Sequence, residues 1–307
     1  MSRYIARRSL QFIPVFFGAT FLVYAMVFAI PGDPVRALFG DRPVSQATVQ
    51  AIRQEYNLND PLPIQYVKYI GGVLTGDFGE DFNGRPVTDI IGNRFPVTVK
   101  LALFAFVFEI IIGLLAGVLA GLRRRSFLDT LVLVSTTAVV SVPVFVLGRT
   151  AQLLFGVELG LLPIAGLSNG WVSYVLPAMV LAAVSLAYIA RLTRTNLVEN
   201  LGADYVRTAT AKGLPRRRVV GRHALRNSLI PVITFLGVDL GALMAGAVIT
   251  EGIFNLPGIG NEVFQAVRRQ EGTVVVGIVT LLVVVFMISN LIVDVLYAVL
   301  DPRIRYE

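Results

Sequence analysis

"YVRTATAKGLPRRRVVGRHALRNSLIP", residues 205–231, lies between two strongly apolar stretches and holds the only histidine of the chain, His223. Nine of the 27 Lys and Arg residues fall between Arg191 and Arg226. A helix is expected over "GADYVRTATAKG", closing at Gly213, because glycine tolerates the left-handed conformation that ends many helices. A second is expected over "LPRRRVVGRHALRNS", with Pro215 in the first turn, where a missing N–H costs nothing. Two short helices joined at a glycine make a protruding knob. A charged anchor needs only its charge; this stretch specifies a shape as well.

The surroundings of the knob set the fold class. The chain has 307 residues, 55% apolar and 15% charged, with a mean hydropathy of +0.72, outside the range of ordinary soluble domains. A helix needs about 20 apolar residues to cross a hydrocarbon core of ~30 Å, and the sequence offers six such stretches: 10–30, 98–121, 130–155, 171–191, 229–250 and 274–299. The expected architecture is an all-α integral membrane protein of six transmembrane helices. A short arm (1–9), a long segment (31–97), loops at 122–129, 156–170, 192–228 and 251–273, and a tail (300–307) join and flank the spans. The first span follows "RYIARR" as a signal peptide would. Its apolar run is too long for one and no small-x-small cleavage site follows, so it is expected to remain as an anchor. Cysteine is absent, which excludes disulfides and thiolate metal sites.

Positive charge orients the bundle. The arm (Arg3, Arg7, Arg8), "RRR" at 123–125, the 192–228 loop with its flanking arginines and the tail (Arg303, Arg305) hold 17 of the 27 basic residues, whereas "GDFGEDF" on the opposite side is acidic. The positive-inside rule then places both termini and the knob in the cytoplasm and 31–97 outside. The net charge of +7 is accounted for by topology, so nucleic acid is not an expected partner.

Within the spans, "GLLAGVLAG" sets Gly113, Gly117 and Gly121 four residues apart, and "GVDLGALMAG" does the same with Gly237, Gly241 and Ala245. Small residues on one helix face allow close backbone approach, so both faces are expected to be buried. Glu109 and Asp239 fall near the middle of their spans and Arg149 lies further out, past Pro143, which is expected to kink the third span. Charges at membrane depth are costly. These three either line a water-accessible translocation path or form structural pairs. Asn290 and Asp294 are expected to partner the basic loops. Ser135, Ser141 and Ser185 show no base partner in the sequence. In the external segment, Ser45 is an expected N-cap, Asp60 another with Pro61 at the first helical position, giving short amphipathic helices over the mouth of the bundle. No internal repeat is visible.

The knob resembles the cytoplasmic loop of the membrane subunits of ABC importers, in the dipeptide, oligopeptide and nickel permease family. The loop motif of such permeases, E-A-A-x3-G-x9-I-x-L-P, is met at Ala209, Gly213 and Leu225, with Arg207 and Thr208 at its first two positions, His223 for Ile and Arg226 for Pro. The variant is similar to the form of the peptide branch. "ARRSLQFIPVFFGATFLVYAMVFAIPGDP", "NLNDPLPIQYVKYIGGVLTGDFG", "VITEGIFNLPGIG" and "DVLYAVLDPRIRY" resemble other parts of the family in the family's order, so the likeness covers nearly the whole chain. It implies one permease domain over 98–299 in the cytoplasmic membrane of a prokaryote. It also implies a coupling loop (Asp204, Arg207, Thr208, Ala209, Lys212, Gly213, Leu214, His223, Leu225, Arg226) on which two separate ATPase subunits dock, a second homologous permease subunit, and an extracytoplasmic binding protein that delivers cargo. ATP and Mg would sit on the ATPases, because this chain has no G-x-x-x-x-G-K-[ST] phosphate loop; it is expected to be no enzyme, with no catalytic residue, cofactor or metal of its own.

Peptide cargo is favoured over nickel, since a bare nickel ion favours imidazole-type ligands and His223 lies in the loop. A nickel chelate remains an alternative within the same family. From a different class, a self-contained ion-coupled transporter could use Glu109 and Asp239 as a proton relay, but it leaves the knob without a role.

Overall fold

The computed structural model describes residues 2–29, 45–55 and 59–300. The helices run in chain order as α1 (Ser2–Phe28), α2 (Gln46–Glu55), α3 (Leu62–Leu74), α4 (Val87–Leu122), α5 (Phe127–Ser141), α6 (Val144–Glu158), α7 (Val175–Leu201), α8 (Asp204–Ala211), α9 (216–228), α10 (Ile230–Phe254), α11 (Ile259–Arg269) and α12 (Gly272–Leu300). The described residues contain no β-strand beyond an isolated bridge between Glu80 and Pro86. Among the described residues, five helices are long and apolar enough to cross a membrane, six if the bent α5–α6 pair counts as one span. The protein is a helical membrane protein.

Several boundaries differ from the expected ones, each for a local reason. The helix of the second span starts at Val87 rather than at residue 98, because the Pro86 carbonyl accepts the first-turn N–H groups of Asp89 and Ile90. The stretch 130–155 bends more sharply than a kink, as a broken span or a re-entrant pair: its two helices meet at 108°, since Val142 and Pro143 are both extended and Pro143 brings no N–H to continue α5. Helix α7 runs ten residues past Arg191, to Leu201, so Arg191 and Arg194 belong to a helix and the following loop begins at Gly202. Helix α3 begins after Pro61, with no side-chain cap. Asp60 instead holds Lys68 at 2.6 Å, and its carbonyl accepts from Gln65. The loop expected at 251–273 contains α11. Its buried Ile259 and Ala266, with Val263 packed beside them, recur on one helical face, a period that marks an amphipathic helix. Residues 31–44 and 301–307, the latter including most of the C-terminal tail, and the Asp294 side chain lie outside the described residues, while Asn290 donates to the Phe286 carbonyl within its own helix.

The chain divides into two compact units, residues 1–98 with 257–291, and residues 99–256. In the first, Val87, Ile90, Ile259, Ala266, Val274, Val275 and Ile278 form the buried core. Tyr66 bonds Thr20 of α1, and Tyr69 donates to Thr280 of α12 at 2.9 Å. Thr98 accepts the buried Ile259 N–H at 3.0 Å, and Glu262 holds both Arg94 and Arg269.

In the second unit α7 is the central post, touching α4, α5, α6, α9 and α10. Its contact with α4 is set by the expected glycines. A Cβ built on Gly113, Gly117 or Gly121 would stand 2.9 Å from Ile189, 2.6 Å from the Ala190 carbonyl and 3.0 Å from Leu197, respectively. Only the absence of side chains allows this approach, and dispersion between the two backbones replaces a hydrophobic drive that lipid does not supply. The corresponding stripe on α10 is not buried throughout: Gly241 is buried but Ala245 is exposed.

Candidate functional site

The knob is built as two helices folded onto the end of α7. Helix α8 presents Val206 and Ala209 inward, α9 presents Val219 and Ala224, and all four close over Leu197. Leu214 and Leu225 pack beside them. Gly213 ends α8 with a φ of +75°, and a Cβ there would meet nothing within 4 Å. Glycine is therefore required by the backbone conformation and not by crowding. Its N–H donates to the Thr210 carbonyl, and Leu214 donates to Ala209, the pattern that lets the chain reverse into Pro215.

Toward solvent, Asp204 and Arg207 form a fully solvated pair at 3.5 Å. Thr208 bonds back to the Asp204 carbonyl. Lys212, Arg216, Arg217, Arg218, Arg222 and Arg226 are all exposed, and His223 is half-buried. The hydroxyl of Ser228 donates to the carbonyls of Ala224 and Asn196, fixing the base of α9 to α7, and Tyr205 donates to the Asn200 side chain. The result is an apolar inner face that fastens the knob to one long helix and a polar, cationic outer face.

One turn back along α7, Arg194 grips Asp129 through two bonds of 2.9 Å each, Nε to Oδ1 and Nη2 to Oδ2. The N–H of Arg125, itself at φ +62°, donates to the same carboxylate, and Ser126 caps the N–H of Asp129. This clamp joins the start of α5 to the end of α7. The sequence reading did not find it, although the spacing "SFLD" is that of a capping pair and was the available signal.

Deeper in the same unit, Glu109 and Asp239 are brought together. Glu109 is fully buried on α4 at the start of a π-helical turn, Glu109–Gly113, and its carboxyl faces that of Asp239 on α10. Ser185 of α7 donates to Asp239 Oδ1 at 2.9 Å, so this serine has a carboxylate partner after all. Apart from the contact between the two carboxyls themselves, both oxygens of Glu109 and Oδ2 of Asp239 meet no hydrogen-bond partner among the described residues. Arg149 does not join them: it is exposed on α6 and donates to Gln152, which in turn donates to the carbonyls of Ile164 and Ile253.

The described residues thus combine several apolar helices with a cationic knob seated on α7, the central helix of the second unit. Residues 113–306 match the model of the family described as binding-protein-dependent transport system inner membrane component, and residues 1–102 match that family's N-terminal part. Among curated relatives, the chain is 38% identical over 308 residues to the glutathione transport system permease protein GsiC of Escherichia coli (strain K12), and 40% identical over 335 residues to the di/tripeptide transport system permease protein DppB of Pseudomonas aeruginosa (strain UCBPP-PA14). Both matches cover the whole of this chain and the whole of the relative. The chain belongs to the binding-protein-dependent transport system inner membrane components: it is a multi-pass permease subunit of an ABC importer. Its family works with a substrate-binding protein and with ATPase subunits, which disfavours a self-contained ion-coupled transporter.

Proposed function

We propose that this permease carries di- or oligopeptides, with glutathione, itself a tripeptide, in the same cargo class, by alternating access. The full-length similarity to permeases named for glutathione and for di/tripeptides supports that cargo. The mechanism rests on one observation: the knob is fastened by a buried core to α7, the helix that also carries Ser185 beside Asp239. Two ATPase subunits dock on the outer face of the knob, through Asp204, Arg207, Thr208, Lys212 and the exposed arginines through Arg226. Ala209, Gly213, Leu214, His223 and Leu225 hold its shape. Closure of the ATPases on ATP and Mg displaces the knob and α7 with it. A conformational equilibrium moves only as far as the differential binding free energy of its ligand allows, so this chain supplies the lever and the nucleotide supplies the force. The chain itself hydrolyses nothing.

The pathway runs between this chain and a second, homologous permease subunit, with both termini and the knob in the cytoplasm and the binding protein docking on the opposite side. Glu109 and Asp239 line the pathway. Arg149, whose guanidinium donates to Gln152, is the candidate partner of a passing carboxylate. Lipid surrounds the pair of subunits and no nucleic acid is involved.

Co-purification from the native membrane tests the reading. The wild-type chain is expected to bring down two ATPase polypeptides, and Gly213→Asp and Arg207→Glu to lose them while the chain stays folded. Absence of any phosphate-loop protein from the wild-type preparation would sink it.

A further inference from the structure

We infer that Glu109, Asp239 and Ser185 form a recognition site for a primary ammonium group, the amine of a cargo peptide; this rests on the peptide reading above. The three side chains come from three different helices, α4, α7 and α10, which meet in one compact unit. Glu109 is completely buried and Asp239 is 8% exposed. A carboxyl in such a place is ordinarily paired with a base or hydrogen-bonded. Among the described residues no ion pair reaches either one, and, the contact between the two carboxyls aside, three oxygens, Glu109 Oε1, Glu109 Oε2 and Asp239 Oδ2, have no donor. The neighbouring acid Asp129 shows what a purely structural carboxylate in this unit receives: a guanidinium and a backbone N–H.

The vacant acceptors are matched by the chemistry of an ammonium group. It brings one positive charge and three N–H donors, one for each unpartnered oxygen. The hydroxyl of Ser185 occupies the fourth carboxylate oxygen, Asp239 Oδ1, and so orients the Asp239 carboxyl with Oδ2 left over. A guanidinium would bring five donors in a planar fork, more than three acceptors satisfy, and a single proton would bridge only two of the oxygens. The site starts at a π-helical turn, Glu109–Gly113, a local departure from regular helix that recurs at functional positions. With Glu109 sealed from solvent, an ammonium reaches these oxygens only when the helices part, as alternating access requires. The amine is either the amino terminus of the peptide or a lysine side chain within it; both present the same three donors.

The test uses the whole importer, this chain with its partner permease and ATPases, reconstituted in lipid nanodiscs, nucleotide-free and vanadate-trapped. Binding of radiolabelled alanylalanine is compared with that of propionylalanine, which lacks only the amine. N-acetyl-lysylalanine and its N,N'-diacetyl form separate a side-chain amine from a terminal one. The wild type is expected to bind an amine-bearing peptide at least tenfold more tightly than its amine-free counterpart in one of the two states. Glu109→Gln and Asp239→Asn are each expected to abolish that preference while the ATPase subunits still assemble with the chain. Ser185→Ala is expected to weaken it without abolishing it. Equal binding of amine and amine-free peptides by the wild type overturns the inference, as does a preference unchanged in both carboxyl variants. If these variants fail to assemble, Glu109→Asp, which keeps the charge and shortens its reach, serves instead: a preference unchanged there, together with unchanged binding, also overturns it. Failure of the complete wild-type importer, with its binding protein and in sealed proteoliposomes, to take up any peptide with ATP would instead refute the peptide reading itself.

Discussion

Two buried acidic positions in one helical unit are treated in opposite ways. Asp129 is met on every side: Arg194 grips it through two parallel bonds, the Arg125 N–H completes the set, and Ser126 caps its own N–H. Glu109 is buried at least as deeply and is met by nothing but a second acid, Asp239. The cost of removing a charge from water is offset only by close partners. The first acid is therefore explained by the architecture it holds, since it locks the start of α5 to the end of α7 beside the knob. The second is not explained by the architecture at all. Beyond that contact between two carboxyls, the described residues offer Glu109 no partner.

The largest expected effect tests the holding role. Asp129→Ala leaves the Arg194 guanidinium, only 21% exposed in its side chain, without its carboxylate. Breaking one side of such a pair costs about 3–5 kcal/mol, so the variant should unfold at markedly lower temperature in detergent, followed by tryptophan-independent scattering or size-exclusion loss. Exchange of the two residues, Asp129→Arg with Arg194→Asp, should recover only part of the loss, because the Arg125 N–H bond depends on an acid at 129. A melting curve for Asp129→Ala that overlays the wild type would break the comparison at its stronger end.

Next in size is Ser185→Ala. It removes the hydroxyl that donates to Asp239 Oδ1, and an acceptor left unpaired in a buried setting costs about 1–3 kcal/mol. The same thermal measurement should place this variant between Asp129→Ala and the wild type. A shift as large as that of Asp129→Ala would mean that Asp239 is held for structure, and the contrast between the two acids would narrow.

How much of this was legible in the chain depends on the range of the forces involved. The membrane class, the Gly113–Gly117–Gly121 face and the closure of α8 at Gly213 are written in short-range patterns: hydropathy, four-residue spacing and a residue type that alone accepts positive φ freely. The individual importance of Glu109 and Asp239 was also legible, since each is a charge where charge is expensive. Their meeting was not, because residues 130 apart in sequence are joined only by the packing of α4 and α10 around α7. The Asp129–Arg194 clamp was hidden for the same reason, and also because Arg194 reads as one more basic residue of a basic loop until α7 is seen to run on to Leu201. The 108° bend at Pro143 exceeds what a proline requires on its own, since proline also occurs inside α1 and α4 without ending either helix. What distinguishes Pro143 is the extended Val142 before it.

Glu109→Gln sharpens the comparison from its weaker end. The amide has nearly the shape of the acid and carries no charge to bury, so stability should change by no more than about 1 kcal/mol, in either direction. Uptake of amine-bearing peptides should nonetheless fall steeply. A variant that melts like the wild type and no longer transports separates site from scaffold. One that unfolds as Asp129→Ala does assigns Glu109 to the scaffold.

The smallest effect belongs to a third acid, which calibrates the other two. Asp204 is 97% exposed in its side chain and 3.5 Å from Arg207, itself 75% exposed. Exposed pairs contribute roughly 0–1 kcal/mol because water screens them and two flexible side chains must be held still. Asp204→Asn should therefore leave the melting temperature unmoved within error. Asp204 also sits in the first turn of α8, where an acid complements the helix N-terminus, and that small favourable term is the most the substitution can remove. Loss of ATPase co-purification in a variant so stable would then report on the outer face of the knob alone. With the fold unperturbed, a docking defect at Asp204 separates recognition by the ATPase from the packing of Val206 and Ala209 beneath it, which no variant of the inner face can do.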